Sequence, residues 1–597
     1  MPIYSAPVRD YLFVLDEVLN IKSIDDMPGY ADLEADTISA IMSEAAKFCE
    51  NELLPINLSG DEEGCTLNPD GTVSTPKGFK EAFDKYNEGG WMGLSAPEEY
   101  GGQGLPYIMG IVMEELMVSS NHSWAMYPGL THGAMAAFEV TGSDDQKRRF
   151  LPSMTSGKWT GTMNLTEPHC GTDLGMLRTK AEPMGDGKYK ISGSKIYISS
   201  GNHDMAENII HLVLARTPDA PAGVKGISMF IVPRNHIDED GNVGEMNAVS
   251  VGSLEDKMGI HGNSTCVMNY DGAVGELIGE EGKGLQGMFI MMNAARLGVG
   301  MQGLGHSEVA YQNAAAYAND RIQGRSLTGP KNPDGPADPI IVHPDVRRML
   351  MNARSFNEGA RLVAAWAALL VDRSMHHADE AEREKASDFV GLMTPIIKGV
   401  FTDFGMQNAL ECQQVFGGHG YVREWGMEQT VRDVRIAQIY EGTNGIQALD
   451  LVGRKLPAHG GRAIQAFLAE IQELIDRNKG IDGMADFTDP LAKGLGRLQA
   501  ASMWLMQNAM ANPDNAGSAS YAYMNLMGRV VLGAAWTLIA AKCLETLEAG
   551  TDGEDFYKNK LIVGRYFMKW RMPETGTFLK QVEAGCEDLM AMTADAF

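Results

Sequence analysis

At 597 residues the chain is too long for one ordinary core, and its length predicts three or four domains. Hydrophobic residues at 44% and charged residues at 21% give the profile of a globular chain, neither disordered nor fibrous. A formal net charge of −28 argues against a nucleic acid or an anionic membrane as partner, so any entrance for an anionic ligand must be locally basic or polar. The seven cysteines (Cys49, Cys65, Cys170, Cys266, Cys412, Cys543 and Cys586) are scattered and form no C-x-x-C pair, which points to a reducing compartment and no zinc site. The segment M-P-I-Y-S-A-P-V-R-D-Y-L lacks the pattern of a secretory leader, and the apolar run Val530–Ala541, at 12 residues, is too short to span a bilayer. The expectation is a cytoplasmic protein with no membrane insertion.

Along the chain, apolar residues recur at helical spacing over Leu33–Leu54, Phe79–Leu94 and Met109–Val118, so residues 1–161 read as a helical domain. Between Met163 and Leu277 the pattern changes. K-Y-K-I-S-G-S-K-I-Y-I-S, I-I-H-L-V-L-A-R and G-I-S-M-F-I-V-P are strand-like runs bounded by turn residues, and residues 162–278 read as a β domain. Long helices return over Met288–Asp320, His343–Asp372 and Ala378–Glu411, with a loop at Gly324–Pro339, giving a helical bundle over 279–456. After L-P-A-H-G-G, residues 457–597 predict a further helical set: Ala463–Asn478, Pro490–Met510, Ser518–Gly550 and Lys558–Met592. The fold class is α+β, mostly α.

Two G-x-G-x-x-G strings, Gly282–Gly287 and Gly298–Gly303, sit at no strand-to-helix joint of a βαβ unit. They read as a β-to-α connection and as close helix packing, which disfavours a nicotinamide enzyme.

The run I-A-Q-I-Y-E-G-T-N-G-I-Q (Ile436 to Gln447) places one carboxylate, Glu441, between an apolar run and a Gly-Thr turn. Ile436, Ile439 and Tyr440 have the spacing of one buried helix face, and Gly442 is a natural stop. A carboxylate against apolar neighbours has its pKa raised towards a general base's range. The plain alternative is an exposed Glu at a helix end. With R-D-V-R upstream (Arg432 to Arg435), this segment resembles the catalytic signature of the acyl-CoA dehydrogenases, and the order α, β, α, extra α is similar to that family with a C-terminal extension. The resemblance implies that Glu441 removes the α-proton of an acyl-CoA thioester while FAD accepts the β-hydrogen as hydride.

Further residues follow from the resemblance. M-N-L-T-E-P-H-C-G-T-D (Met163 to Asp173) is similar to the family's flavin-approach loop, which implies that Leu165 and Thr166 meet the pyrimidine edge of the flavin while Gly171 and Thr172 let the chain approach the pyrophosphate; a capping turn through Thr166 and Asp173 would explain it too. K-I-Y-I-S-S resembles K-x-W-I-T-N and gives Tyr197 and Ser199 to the flavin, on one face of a strand by simple alternation. A half-buried strand pair explains that spacing equally well. Arg321 and Gln323, in R-I-Q-G-R, together with Gln414, Gly417 and Gly418, in Q-V-F-G-G-H-G, look like the segments that reach the FAD of a neighbouring subunit, although a tight loop alone would account for the glycines. Thr443 would meet the flavin's phosphate region. Arg296 aligns with an arginine near the substrate, and Ala295 before it leaves no rival carboxylate to Glu441. No metal is implied.

The N-terminal pattern Y-S-A-P-V-R-D and L-P-I-N-L-S-G-D-E-E-G, with the chain length, is similar to the branch of the family that acts on 3-(methylthio)propanoyl-CoA in dimethylsulfoniopropionate breakdown. That implies an electron-transferring flavoprotein as electron acceptor and a homodimer. The rival readings are a short- or medium-chain fatty acyl-CoA dehydrogenase, an acyl-CoA oxidase, and a DNA-associated member of the fold.

Overall fold

The computed structural model describes every residue except Met1, Asp25, Asp32, Glu239 and Asp240. The chain forms two compact units, Glu44–Gly298 and a second made of Met1–Ser43 with Val299–Phe597. Helix Gly284–Asp320 gives its first turns to one and the rest to the other.

In the unit Glu44–Gly298, helix Tyr107–Thr141 runs well beyond the predicted Met109–Val118. Its sequence is apolar on all sides, so burial rather than a single amphipathic stripe sustains it. It kinks at Asn121 (φ −161°, ψ 91°), whose side-chain oxygen accepts the Trp124 N–H at 3.0 Å and so starts the second half as a cap would. A capping box between Ser143 and Gln146 opens the next helix, Asp144–Thr155.

The seven-stranded sheet that follows has the order Trp159–Asn164, Asn208–Ala215, Ser228–Pro233, Thr265–Ile278, Lys188–Ser199, Lys180–Pro183, with Val249–Leu254 also paired to Thr265–Ile278. Only the first pair is parallel. Strand Asn208–Ala215 is buried throughout because the sheet has a core on each face. Ile210, Leu212 and Leu214 pack with Phe138, Phe150 and Trp159, whereas Val213 and Ala215 join Ile191, Phe230 and Tyr270. Predicted strand Lys188–Ser199 is found, but it carries a bulge. Cys266 pairs with Ile198 and Met268 with Lys195, so two residues of one strand face a single residue of the other.

In the other unit, Pro344–His376 and Glu380–Val415 form a helical hairpin, followed by Met427–Arg435 and Asn444–Asp450. The second glycine string makes the predicted close packing: a Cβ on Gly300 would lie 2.3 Å from Ile397, and one on Gly303 2.4 Å from the Phe401 carbonyl. The first string, at Gly282–Gly287, connects strand Thr265–Ile278 to helix Gly284–Asp320. The loop at Gly324–Pro339 wraps buried Asp338, whose carboxylate accepts the N–H groups of Ser326, Lys331 and Asn332.

The C-terminal helices are Arg462–Asn478, Ala485–Asn508, Pro513–Ala549, Glu554–Trp570, Glu574–Glu583 and Glu587–Ala591. The single helix expected over Lys558–Met592 is therefore three, broken at Pro573 and at Gly585, whose φ is +72°. Helices Glu380–Val415 and Pro513–Ala549 are long and apolar enough to cross a membrane, although the apolar run Val530–Ala541 alone is too short; 78% and 61% of their apolar windows are buried within the protein, as in core helices.

A buried ionic cluster joins three parts of this unit. Arg361 binds Asp10 and Glu308 at 2.7 Å each, and Lys560 binds Asp10 and Glu358. Burial opposes ionisation of Asp10, yet Lys560 and Arg361 hold its carboxyl below the ordinary range.

Inside the β domain, Thr160 pairs with His203 at 2.9 Å and Thr162 with His211 at 2.7 Å. Burial, reinforced by the nearby Arg234 cation, pushes His211 down to about 3 and His203 well below its usual value. Their folded pKa values are depressed, so the unfolded chain takes up protons first as pH falls below about 6.5. Stability from these two groups is complete above that pH and declines below it, by about 1.4 kcal/mol per pH unit for each histidine. Urea unfolding followed at pH 7, 6 and 5 should show this loss, and His211→Gln should remove about one proton from the slope.

Candidate active site

Helix Met427–Arg435 tightens into a 3-10 turn at Ile436–Gln438 and ends before Glu441. The expected buried face is not formed there: Ile439 is 46% exposed, Ile436 and Tyr440 are half-buried, and Ala437 is the buried residue. Tightening from 3.6 to 3 residues per turn rotates these side chains out of the stripe that the spacing implies. Glu441 itself is half-buried and left-handed, with φ +57°, and Gly442 follows at φ +82°. For a residue with a Cβ this conformation costs on the order of 1–2 kcal/mol, so its surroundings must hold it.

They do so from beneath. The buried Gln447 amide donates to the Glu441 carbonyl at 3.0 Å. Thr443 caps helix Asn444–Asp450 by accepting the Ile446 N–H, and Asn444 donates to the Gly399 carbonyl and to Asp403 while accepting from Lys398 at 2.8 Å. Gln438 also reaches Asp403 at 2.7 Å, and Tyr521 of the C-terminal helices donates to the other Asp403 oxygen. Sequence reasoning missed Lys398, Asp403, Asn444 and Gln447. Two of them lie in the Ile436–Gln447 run itself, and Lys398 stands out as the single charge in the apolar stretch 389–401.

In the same unit, Tyr317 stacks on Phe416 (4.2 Å between ring centres) and meets His419 at 2.9 Å. This brings the C-terminal end of helix Gly284–Asp320, with exposed Arg321 and Gln323 just beyond, to the loop of Gln414, Gly417 and Gly418. Gly417 has φ +57°, and a Cβ on Gly417 or Gly418 would meet nothing within 4 Å, so this backbone is open to a ligand. Arg325 instead folds into its own loop, on the carbonyls of Asn332 and Gly335.

The remaining candidates belong to the unit Glu44–Gly298. Leu165 is buried and Thr166 half-buried, and Gly171 sits 3.6 Å from the Thr166 methyl by its would-be Cβ. Thr172 is exposed; Asp173 caps the turn Leu174–Met176 as the plain reading expects. Thr166 and Ile196 are joined by a backbone hydrogen bond of 2.9 Å, which ties this loop to the strand of Tyr197 and Ser199. Those two do not alternate simply: the bulge puts Tyr197 at φ +59° and leaves it 62% exposed, while Ser199 is half-buried opposite Thr265. Arg296 is buried and donates to Asn293 at 3.4 Å, and Ala295 beside it carries no carboxylate.

Glu167, His169 and Cys170 place possible metal-ligating atoms within 4.8 Å of one another. Glu167 is already engaged: Lys195, the Thr179 hydroxyl and the Thr179 N–H share one oxygen, and the Arg178 N–H takes the other. The cluster is thereby committed to shaping the loop.

Each unit by itself offers groups that suit part of a dinucleotide cofactor such as FAD. The Thr166 N–H finds no acceptor among the described residues, and Gly417 and Gly418 present unobstructed backbone.

Comparison with known proteins agrees. Family models match residues 35–158 (acyl-CoA dehydrogenase, N-terminal domain), 162–273 (middle domain), 282–456 (C-terminal domain) and 467–593 (acetyl-CoA dehydrogenase C-terminal like). The chain is 40% identical over 565 residues to 3-methylmercaptopropionyl-CoA dehydrogenase of Ruegeria pomeroyi, covering 94% of this chain and 95% of that one. It is 34% identical over 612 residues to a butyryl-CoA dehydrogenase of Syntrophomonas wolfei subsp. wolfei, covering 100% and 99%. Among solved structures, an acyl-CoA dehydrogenase complexed with FAD from Bacillus anthracis shares the fold, with a TM-score of 0.75 at 22% identity over 97% of this chain and 92% of that one. The chain thus belongs to the acyl-CoA dehydrogenases, FAD-dependent oxidoreductases acting on CH–CH bonds, with the family's N-terminal, middle and C-terminal domains and an extra C-terminal domain.

Proposed function

We propose that the protein dehydrogenates a short acyl-CoA thioester between its α and β carbons, with Glu441 as the base, and that 3-(methylthio)propanoyl-CoA is its substrate. The left-handed, cross-braced backbone of Glu441 carries this reading, because a general base must be held within about 3 Å of the proton it removes. FAD supplies the acceptor for the β-hydrogen and its electron pair. Glu441 takes the α-proton on its carboxylate as the double bond forms, and its N–H donates to the thioester oxygen, where negative charge develops. Arg296 is assigned to the substrate through the family resemblance. Leu165, Thr166, Tyr197 and Ser199 would meet the flavin, Gly171 and Thr172 would approach the pyrophosphate, and Thr443 the flavin's phosphate region, while Arg321, Gln323, Gln414, Gly417 and Gly418 would reach the FAD of a neighbouring subunit.

The sulfur-containing substrate is supported by likeness to the Ruegeria pomeroyi enzyme and by its name. The proposed setting is a cytoplasmic homodimer that passes electrons to an electron-transferring flavoprotein. In keeping with a partner subunit, the Gln414, Gly417 and Gly418 segment is exposed.

Glu441→Gln should lower kcat by about 10²–10⁴-fold with the fold and FAD content intact, and near-normal turnover would remove Glu441 from the mechanism. Gln447→Leu leaves every reacting group in place but frees the Glu441 carbonyl. Steady-state kinetics should show kcat down by about ten- to a hundredfold, with little change in KM. Anaerobic titration of the holoenzyme with 3-(methylthio)propanoyl-CoA should bleach the flavin near stoichiometry. Bleaching by butanoyl- or octanoyl-CoA alone would keep the reaction and replace the substrate.

A further inference from the structure

Lys195 is fully buried, at 0% exposure, on the strand that lies under the loop of Leu165 and Thr166. Its ammonium donates to the Leu165 carbonyl at 3.0 Å and to Glu167 at 2.9 Å. One residue on, the Ile196 N–H takes the Thr166 carbonyl at 2.9 Å. Two successive loop carbonyls are therefore drawn onto this strand.

In a planar trans peptide the C=O and the following N–H point in opposite directions. A Leu165 carbonyl drawn onto Lys195 aims the Thr166 N–H directly away from it, and that N–H has no acceptor among the described residues. A cation on the carbonyl also polarises the peptide and makes its N–H a stronger donor, since hydrogen bonds in series reinforce one another. Glu167 anchors the cation from the far side, with both of its oxygens engaged. Burial pushes Lys195 down to about 8, against the pull of Glu167, so it stays protonated at neutral pH.

We propose that Lys195 is a positioning residue for the cofactor: it holds the 165–166 peptide so that the Thr166 N–H is presented to the electron-rich pyrimidine edge of the flavin, and it strengthens that donor through the Leu165 carbonyl. A donor so placed stabilises the charge that this edge gains on reduction, so Lys195 raises the flavin's reduction potential and its affinity for the site. The proposal rests on the reading of residues 165–173 as the flavin-facing loop.

The test compares Lys195→Met, the paired variant Lys195→Met/Glu167→Gln (which leaves no buried charge unmatched if the single change fails to fold) and Lys195→Arg. Ser199→Ala serves as a control for the flavin site. Melting curves, FAD dissociation constants and spectroelectrochemical midpoint potentials are read on each purified protein. Loss of the ammonium should weaken FAD binding about tenfold and shift the two-electron reduction equilibrium about tenfold, a drop of about 30 mV. Lys195→Arg should recover most of both. A folded paired variant with the parent's potential and FAD affinity overturns the proposal, even if it melts earlier. In that case, weaker FAD binding by Ser199→Ala would show that the flavin site stands and only the Lys195 assignment falls. Parent-like binding by Ser199→Ala as well would remove the loop reading together with it.

Discussion

A carboxylate held on a left-handed backbone is the constraint around which the bundle is organised. Glu441 at φ +57° would relax to an ordinary helical or extended conformation if its turn were free. It is not free, because Gln447 holds its carbonyl and Asn444 locks the next helix onto Gly399, Asp403 and Lys398. Those supports sit on Glu380–Val415, a helix buried enough to be rigid. Tyr521 extends the brace into the C-terminal helices by binding Asp403. The extra domain is therefore part of what fixes the backbone around Glu441.

The same logic governs the N-terminal segment. Asp10, Glu308, Glu358, Arg361 and Lys560 form one buried network, although they come from widely separated parts of the chain. Such a network contributes little net stability compared with apolar packing, because each charge loses its water. Breaking one member is another matter, since it strands a partner in low dielectric. The arrangement thus favours one way of docking the first residues and the last helices over alternatives. A chain carrying −28 overall spends part of its scarce positive charge here.

In the β domain, the strand Asn208–Ala215 separates two apolar cores and carries His211 among polar partners. The ladder from Tyr270 through Asn164 to Thr162 and His211 ends where the Leu165 loop begins. Loop and strand are then joined again through Lys195 and Ile196. The bulge at Tyr197 turns this edge outward, placing a large ring in solvent-facing space where strict alternation would have directed it elsewhere.

Much of this was legible in the sequence. The domain order, the nature of both glycine strings and the run around Glu441 are local signals, written in the period of apolar residues and in the turn residues that interrupt it. The family follows from those signals because its motifs are contiguous. What the sequence could not show is each place where distant chain meets. The left-handed Glu441, the 3-10 tightening that exposes Ile439 and the bulge at Tyr197 depend on packing against other elements, which overrides local spacing. Lys398, Asp403 and Lys195 look like isolated charges until tertiary contact gives them partners. Sequence by itself determined which segments are helix, strand and turn, because backbone sterics and hydrophobic period act over a few residues. Tertiary structure alone decided how Glu441 and the loop carbonyls are held, because hydrogen bonds and buried charges are matched across the fold.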